Sequence, residues 1–98
     1  MAEQEFRDFS QFDGFEWDED KSRTNISKHG LSFADATEVF GDPKQYTYRS
    51  LRRSSEVRHV SVGLANGRLI AVVFTRRGAN IRIISARAAR KAERDQYG

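Results

Sequence analysis

The chain has 98 residues, 38% hydrophobic and 32% charged, with a net charge of +3, one proline and no cysteine. That length fits one domain, and the missing cysteines exclude a disulfide framework and a thiolate metal site. The longest mostly apolar run, 69–75, is far short of the ~20 residues a membrane span needs, and Met1-Ala2-Glu3-Gln4-Glu5 lacks the basic-then-apolar order of a signal peptide, so the expectation is a cytoplasmic globular domain with no membrane partner.

Residues 1–14 read as an acidic and polar extension, and residues 15–98 as the single domain. Within the extension Phe6, Phe9 and Phe12 recur at intervals of three, which suits one face of a short helix and a frayed tail alike. Phe15-Glu16-Trp17 alternates apolar and acidic, as a short edge strand does. Asp18 is placed to cap a helix over 19–29. Glu19 and Asp20 fall in its first turn, where the helix dipole favours negative charge, and Gly30 follows its end. Ile26 is its one large apolar interior residue. Such a helix lies largely in solvent or presents a working face, and Lys21, Asn25 and Lys28 or His29 fall together on one side. Ser32 caps a second helix, with Asp35 three residues on; Phe33, Ala36, Thr37 and Phe40 form its buried stripe, and Gly41 and Pro43 end it.

From Gln45 the period changes to two. Segments 46–49, 57–64, 69–76 and 81–87 read as strands, and 88–97 as a basic C-terminal helix. Asn66-Gly67 is a strong hairpin signal, and Arg77-Gly78-Ala79-Asn80 is a second turn. The order predicts an α+β domain: an antiparallel meander of about four strands, a short N-terminal strand, two N-terminal helices and a C-terminal helix.

Turn chemistry fixes which residues meet. Centring the first turn on Asn66-Gly67 pairs Ala65 with Arg68, His59 with Phe74 and Arg58 with Thr75. Centring the next on Gly78-Ala79 sets Thr75 opposite Arg82. Arg58, Thr75 and Arg82 then line up on one face of three strands, beyond a core of Val60, Val62, Val73 and Ile84. Two guanidinium groups one strand apart repel each other unless an anion or a carboxylate lies between them. This end of the sheet is therefore an anion pocket, or it is ion-paired with an acidic residue of the N-terminal half. A slip of one residue would send both arginines to the other face.

Charge distribution bears on that choice. Residues 1–48 carry five basic against eleven acidic side chains, a net −6, whereas residues 49–98 carry twelve basic ones, eleven of them arginine, against three acidic, a net +9. A basic half of this kind favours a polyanionic partner, and planar guanidinium groups grip phosphate with two parallel hydrogen bonds. The plain alternative is a solvated surface with scattered charge.

No metal constellation is evident. His29 and His59 have no ligand spacing with one another, and no carboxylate cluster resembles a magnesium site. There is no phosphate-cradling glycine loop and no nucleophile elbow. As structural residues, His29 would bond a helix-end carbonyl and His59 would pack on Phe74. Any chemistry therefore falls to acid–base groups and arginine, with no metal and no cofactor. RNA admits such chemistry because it carries its own nucleophile. A base takes the 2′-hydroxyl proton, the oxygen attacks the adjacent phosphorus, an acid protonates the leaving oxygen, and arginines hold the growing charge. The acid–base candidates are Glu56, His29, His59, Lys28 and Tyr97.

Two ordered series of residues go further. The first is Phe15-Glu16-Trp17-Asp18, Lys21, Asn25, Lys28-His29-Gly30, Ser32-Phe33, Ala36, Phe40 and Asp42-Pro43. The second is Glu56, Arg58, Gly63, Val72-Val73, Thr75, Arg77, the run Arg82-Ile83-Ile84-Ser85-Ala86-Arg87, Glu93-Arg94 and Tyr97. Together, over about residues 15–97, they resemble the BrnT family of toxins from bacterial type II toxin–antitoxin pairs. One departure is Gly98, where an acidic residue often follows the penultimate tyrosine. The resemblance implies a RelE-like fold and a metal-independent RNA endonuclease that arrests growth. It also implies a BrnA-like antitoxin that covers the toxin and carries a DNA-binding domain, so that operator DNA is reached only through that partner. The family's arginine positions carry over to Arg58, Arg82 and Arg87, with Lys28, His29 and Glu56 nearby in motif terms. On this reading Glu56 or His29 is the general base or acid, Arg58 and Arg82 bind the scissile phosphate, and Thr75 adds a hydrogen bond. Arg76, Arg87, Arg90 and Lys91 would guide the RNA backbone, with helix-end charge as the competing reading for Arg87 and Arg90. Tyr97 stacks a base or anchors the last helix. The alternatives are a non-catalytic module of the same fold that binds RNA or its antitoxin, and an interaction protein whose basic half docks an acidic partner.

Overall fold

The computed structural model describes residues 9, 12–52 and 55–98. In chain order the elements are β1 (Gly14–Glu16), α1 (Glu19–His29), α2 (Phe33–Ala36) running into a 3-10 turn (Thr37–Gly41), β2 (Tyr46–Arg49), β3 (His59–Ala65), β4 (Arg68–Arg77), β5 (Asn80–Ala88) and α3 (Lys91–Tyr97). The architecture is the expected α+β one. Strands β2 to β5 form the antiparallel meander, and β1 adds to the edge of β5 in parallel, making a mixed sheet of order β1-β5-β4-β3-β2.

Turn chemistry sets the register as the sequence foretells. Asn66 and Gly67 both take positive φ, 50° and 72°, the geometry whose twist matches that of the flanking strands. The β3–β4 ladder then runs unbroken from Ala65↔Arg68 to His59↔Phe74. The β4–β5 ladder starts at Arg77↔Asn80 and keeps the expected Thr75↔Arg82 pair as far as Phe74↔Ile83. There it departs from arithmetic. Val73 pairs with Ser85, so Ile84 is an extra residue, a bulge that period-two counting does not foresee.

One face of the sheet is the main core. Ile70, Val72, Phe74, Ile81, Ile83 and Ala86 pack under Leu31, Phe33, Ala36 and Val39 from the helical layer. Full burial of each large side chain here contributes roughly 1.5–3 kcal/mol. Phe9 and Phe12 of the extension join this core, with the Phe9 ring 4.7 Å from Phe40 and 6.1 Å from Phe74; Phe6 lies outside the described residues. The opposite face holds a smaller cluster of Val60, Val62, Ala71 and Ala89, with Tyr46, Tyr48, Val73 and Tyr97 against it.

Helix α1 starts and stops where expected. Asp18 accepts hydrogen bonds from the Asp20 and Lys21 amides, and Gly30 ends the helix at φ 70°. Its docking is unusual for so polar a helix. Ile26, the one large apolar interior residue, is 48% exposed. Attachment is through polar groups instead: the Ser22 hydroxyl accepts from the Phe33 amide (3.0 Å), and the Asn25 amide donates to the Leu31 and Ala86 carbonyls (2.8 and 2.9 Å). The Asn25 carbonyl also accepts from the Ala86 amide (3.2 Å). Asn25 thus belongs to the scaffold rather than to a working face. Asn25→Ala leaves three backbone groups without their partner and is expected to cost about 2–3 kcal/mol in thermal or denaturant unfolding. A loss below about 0.5 kcal/mol would show that water replaces the amide.

Two helix expectations need correction. The second helix breaks after Ala36 into the tighter 3-10 turn, where the Thr37 hydroxyl bonds back to the Ala34 carbonyl at 2.6 Å. The last helix begins at Lys91 rather than near Ala88, because β5 runs on to Ala88 and the extended Arg90 caps the helix. Among the described residues no helix is long and apolar enough to cross a membrane.

Candidate functional site

On the face away from α1 and α2 lies an open bay of about 460 Å³. Val60, Val73 and Ile84 form its apolar floor, with Tyr48, Ser50, Leu51 and Ser85 around them. Arg52, Arg58, Arg87 and Arg90 also line it. Among the described residues no acidic side chain lines it. The β5 bulge makes this gathering possible. Arg82 and Arg87 are five residues apart and would face opposite sides of a regular strand. With the extra residue between them, Arg82 sits opposite Thr75 and Arg87 opposite Ala71, both on the open face.

Arg58 is the central cation. Its side chain is 27% exposed, and its Nε is buried with no hydrogen-bond partner among the described residues. Its terminal nitrogen comes only to 3.9 Å from one Glu56 oxygen, while the other Glu56 oxygen lies 3.6 Å from Arg77. A buried guanidinium N–H without an acceptor costs about 1–3 kcal/mol, a cost that a bound anion would remove.

Arg82 does not join it in the bay. Its guanidinium donates to the Glu16 carboxylate of β1 at 2.8 Å. Of the two outcomes weighed from sequence, the structure gives Arg82 the carboxylate. Hydrogen bonds from Asn80 and then Arg82 hold the Glu16 carboxyl below its ordinary range. Thr75 likewise differs from expectation: it is buried, and its hydroxyl donates to the Val57 carbonyl at 2.7 Å.

Arg87 is held from behind. It donates two hydrogen bonds to Glu93, at 2.7 and 3.0 Å. The same carboxylate accepts from the Arg90 amide (2.8 Å) and from the Tyr48 hydroxyl. Tyr46 donates to the Glu93 backbone carbonyl at 2.9 Å. Burial would push the Glu93 carboxyl up, but Arg87, the Arg90 amide and Tyr48 outweigh it and hold it down at about 2. Burial, helped by Glu93, pushes the Tyr46 hydroxyl up to about 12. Sequence reasoning gave Glu93 no role; its signal was the position three residues after Arg90, where a helix cap is closed.

The remaining candidates divide by location. Arg90 and Arg52 stand in the bay with no ion-pair partner among the described residues. Arg52 was missed, because it sits in a loop whose placement periodicity does not reveal. Arg76 is on the helix side, its guanidinium 5.4 Å from the Phe12 ring, away from the bay. Lys91 is exposed and paired with Asp95 at 2.8 Å. The Tyr97 hydroxyl donates to Asp42 at 2.6 Å and Lys44 lies 5.0 Å from its ring, the anchoring arrangement. That bond to Asp42, with burial, pushes the Tyr97 hydroxyl up to about 12. His59 is buried against Phe74, ring centroids 5.5 Å apart.

Lys28 and His29 line a second hollow of about 230 Å³, together with Lys21, Thr24, Asn25, Ile84 and Ser85. Among the described residues no three His, Asp or Glu side chains group as a metal ligand set.

Residues 17–93 match the family model described as the ribonuclease toxin, BrnT, of type II toxin–antitoxin systems. No curated protein matches the chain.

Proposed function

Since this chain belongs to the BrnT family of ribonuclease toxins from type II toxin–antitoxin systems, we propose that it cuts RNA at the arginine bay, without a metal ion or a cofactor. The observation that carries this reading is Arg58, whose buried Nε–H has no acceptor among the described residues, in an open bay where Arg52 and Arg90 have no ion-pair partner among them either. Those three guanidinium groups bind the scissile phosphate and hold the charge that builds on it. Arg87, fixed by Glu93, forms one wall. Arg82 acts at a distance, by pinning β1 to the sheet through Glu16.

Glu56 or His29 takes the 2′-hydroxyl proton. The 2′-oxygen then bonds to phosphorus and the bond to the 5′-oxygen breaks as that oxygen gains a proton. The ends left are a 2′,3′-cyclic phosphate and a 5′-hydroxyl. The protein works in the cytoplasm and is neutralised by a BrnA-like antitoxin, whose acidic segment covers the bay and whose other end reaches operator DNA.

Purified protein incubated with a long RNA in excess chelator is expected to yield fragments ending in 2′,3′-cyclic phosphate. RNA that stays intact while still bound would replace the enzyme with a non-catalytic binding module.

A further inference from the structure

The arginine bay and the α1 hollow meet at the β5 bulge, since Ile84 and Ser85 line both. A regular strand would turn one of two successive side chains to the helix face. The extra residue leaves both on the open side, as a low saddle between the two hollows. Among the described residues the Ser85 hydroxyl has no hydrogen-bond partner.

Cations on α1 are sorted by side. Arg23, absent from the hollow, is ion-paired with Asp20. Lys21, Lys28 and His29, which line the hollow, have no ion-pair partner among the described residues. Across the saddle Arg52 and Arg90 also have no ion-pair partner among the described residues. Two groups of unpaired cations, separated by an apolar side chain and a hydroxyl, match a chain that carries charge at intervals with neutral sugar and base between.

We infer that the α1 hollow is a second phosphate subsite, so that the substrate is a single RNA strand laid from the arginine bay over Ile84 and Ser85 to Lys21 and Thr24. This rests on the bay being the RNA site. A path through two hollows on either side of a saddle needs a backbone free to bend, which a base-paired helix does not offer.

Binding of a 2′-O-methyl RNA of about nine nucleotides tests the subsite, because that probe lacks the nucleophile and cannot be cut. Lys21→Gln is expected to weaken its binding by up to about tenfold and to reduce the slope of log affinity against log salt by about 0.7. A 2′-O-methyl dinucleotide, long enough for the bay alone, should bind Lys21→Gln and the unaltered protein equally. Arg23→Gln, which removes the same charge from outside the hollow, should change neither. Thr24→Glu should weaken the longer probe further. Equal losses in Lys21→Gln and Arg23→Gln, or no loss in Lys21→Gln, would overturn the subsite while leaving the bay intact. Failure of the unaltered protein to bind either probe would overturn the bay reading itself.

Discussion

Exchanging Arg58 for methionine is expected to slow RNA cleavage by roughly 10²–10³-fold without lowering the melting temperature. The two halves of that expectation have one cause. Arg58 holds a buried Nε–H with no acceptor among the described residues, and its carboxylate contact is loose at 3.9 Å. The group is therefore poorly satisfied in the protein alone and well placed for an anion that arrives from outside. Methionine keeps much of the stem's volume while removing the unsatisfied donor, so stability should hold or rise. Arg82→Met should rank the other way. It removes the 2.8 Å bond to Glu16 that fastens β1 to β5, lowering the melting temperature more and cleavage less. Both quantities can be read on the same samples, by thermal melting and by the rate of RNA loss. Unimpaired cleavage in Arg58→Met, with impaired cleavage in Arg82→Met, would move the phosphate site to the far end of the sheet.

The second large effect concerns Glu93. Glu93→Ala leaves the Arg87 guanidinium without the carboxylate that takes two of its hydrogen bonds, and leaves the Tyr48 hydroxyl and the Arg90 amide without theirs. Removing one partner of a buried ion pair typically costs about 3–5 kcal/mol. Replacing both, as Glu93→Leu with Arg87→Met, should recover much of that, since no uncompensated charge remains. The cluster also predicts an acid response. The Glu93 carboxyl sits at about 2 in the folded protein, against an ordinary value of 4.5. A carboxyl lowered by folding stabilises fully above the unfolded value, and that contribution fades as pH falls through the folded one. Roughly 2–3 kcal/mol should therefore be lost between about pH 5 and pH 2. Denaturant unfolding at pH 7 and pH 3 should show a smaller difference for Glu93→Gln than for the unaltered protein. An equal difference would assign the acid response to Asp42 and Glu16, whose carboxyls are also lowered.

Local signals were the legible part of this fold. Asp18, Gly30 and Ser32 placed helix ends because capping is settled within a few residues. Asn66-Gly67 gave the β3–β4 register because a two-residue turn leaves the strands no freedom to slide. The face shared by Arg58, Thr75 and Arg82 followed from that register. What stayed hidden depends on contacts between distant segments. Nothing in the apolar pattern of 81–87 marks Ile84 as surplus, because Ile83, Ile84 and Ser85 suit either face. The polar docking of α1 was unreadable, since Asn25 finds its partners on Leu31 and Ala86. Glu93 carries no role in the linear pattern, because its partners Arg87 and Tyr48 meet it only once β2, β5 and the last helix are packed together. Arg52 entered the bay from a loop that carries no periodicity at all.

The surplus residue in β5 also bears on how this protein can change over generations. Loss of the Ile84 codon would even out the strand, yet Ser85, Ala86 and Arg87 would keep Val73, Val72 and Ala71 as partners, and Arg82 and Arg87, then four residues apart, would still share the open side. Only one of two neighbouring side chains on that side would go, and with it half of the saddle. Loss of a codon from β3 or β4, whose shared ladder runs unbroken, would instead turn part of a strand over. Related chains should therefore vary in length at this point more readily than along β3.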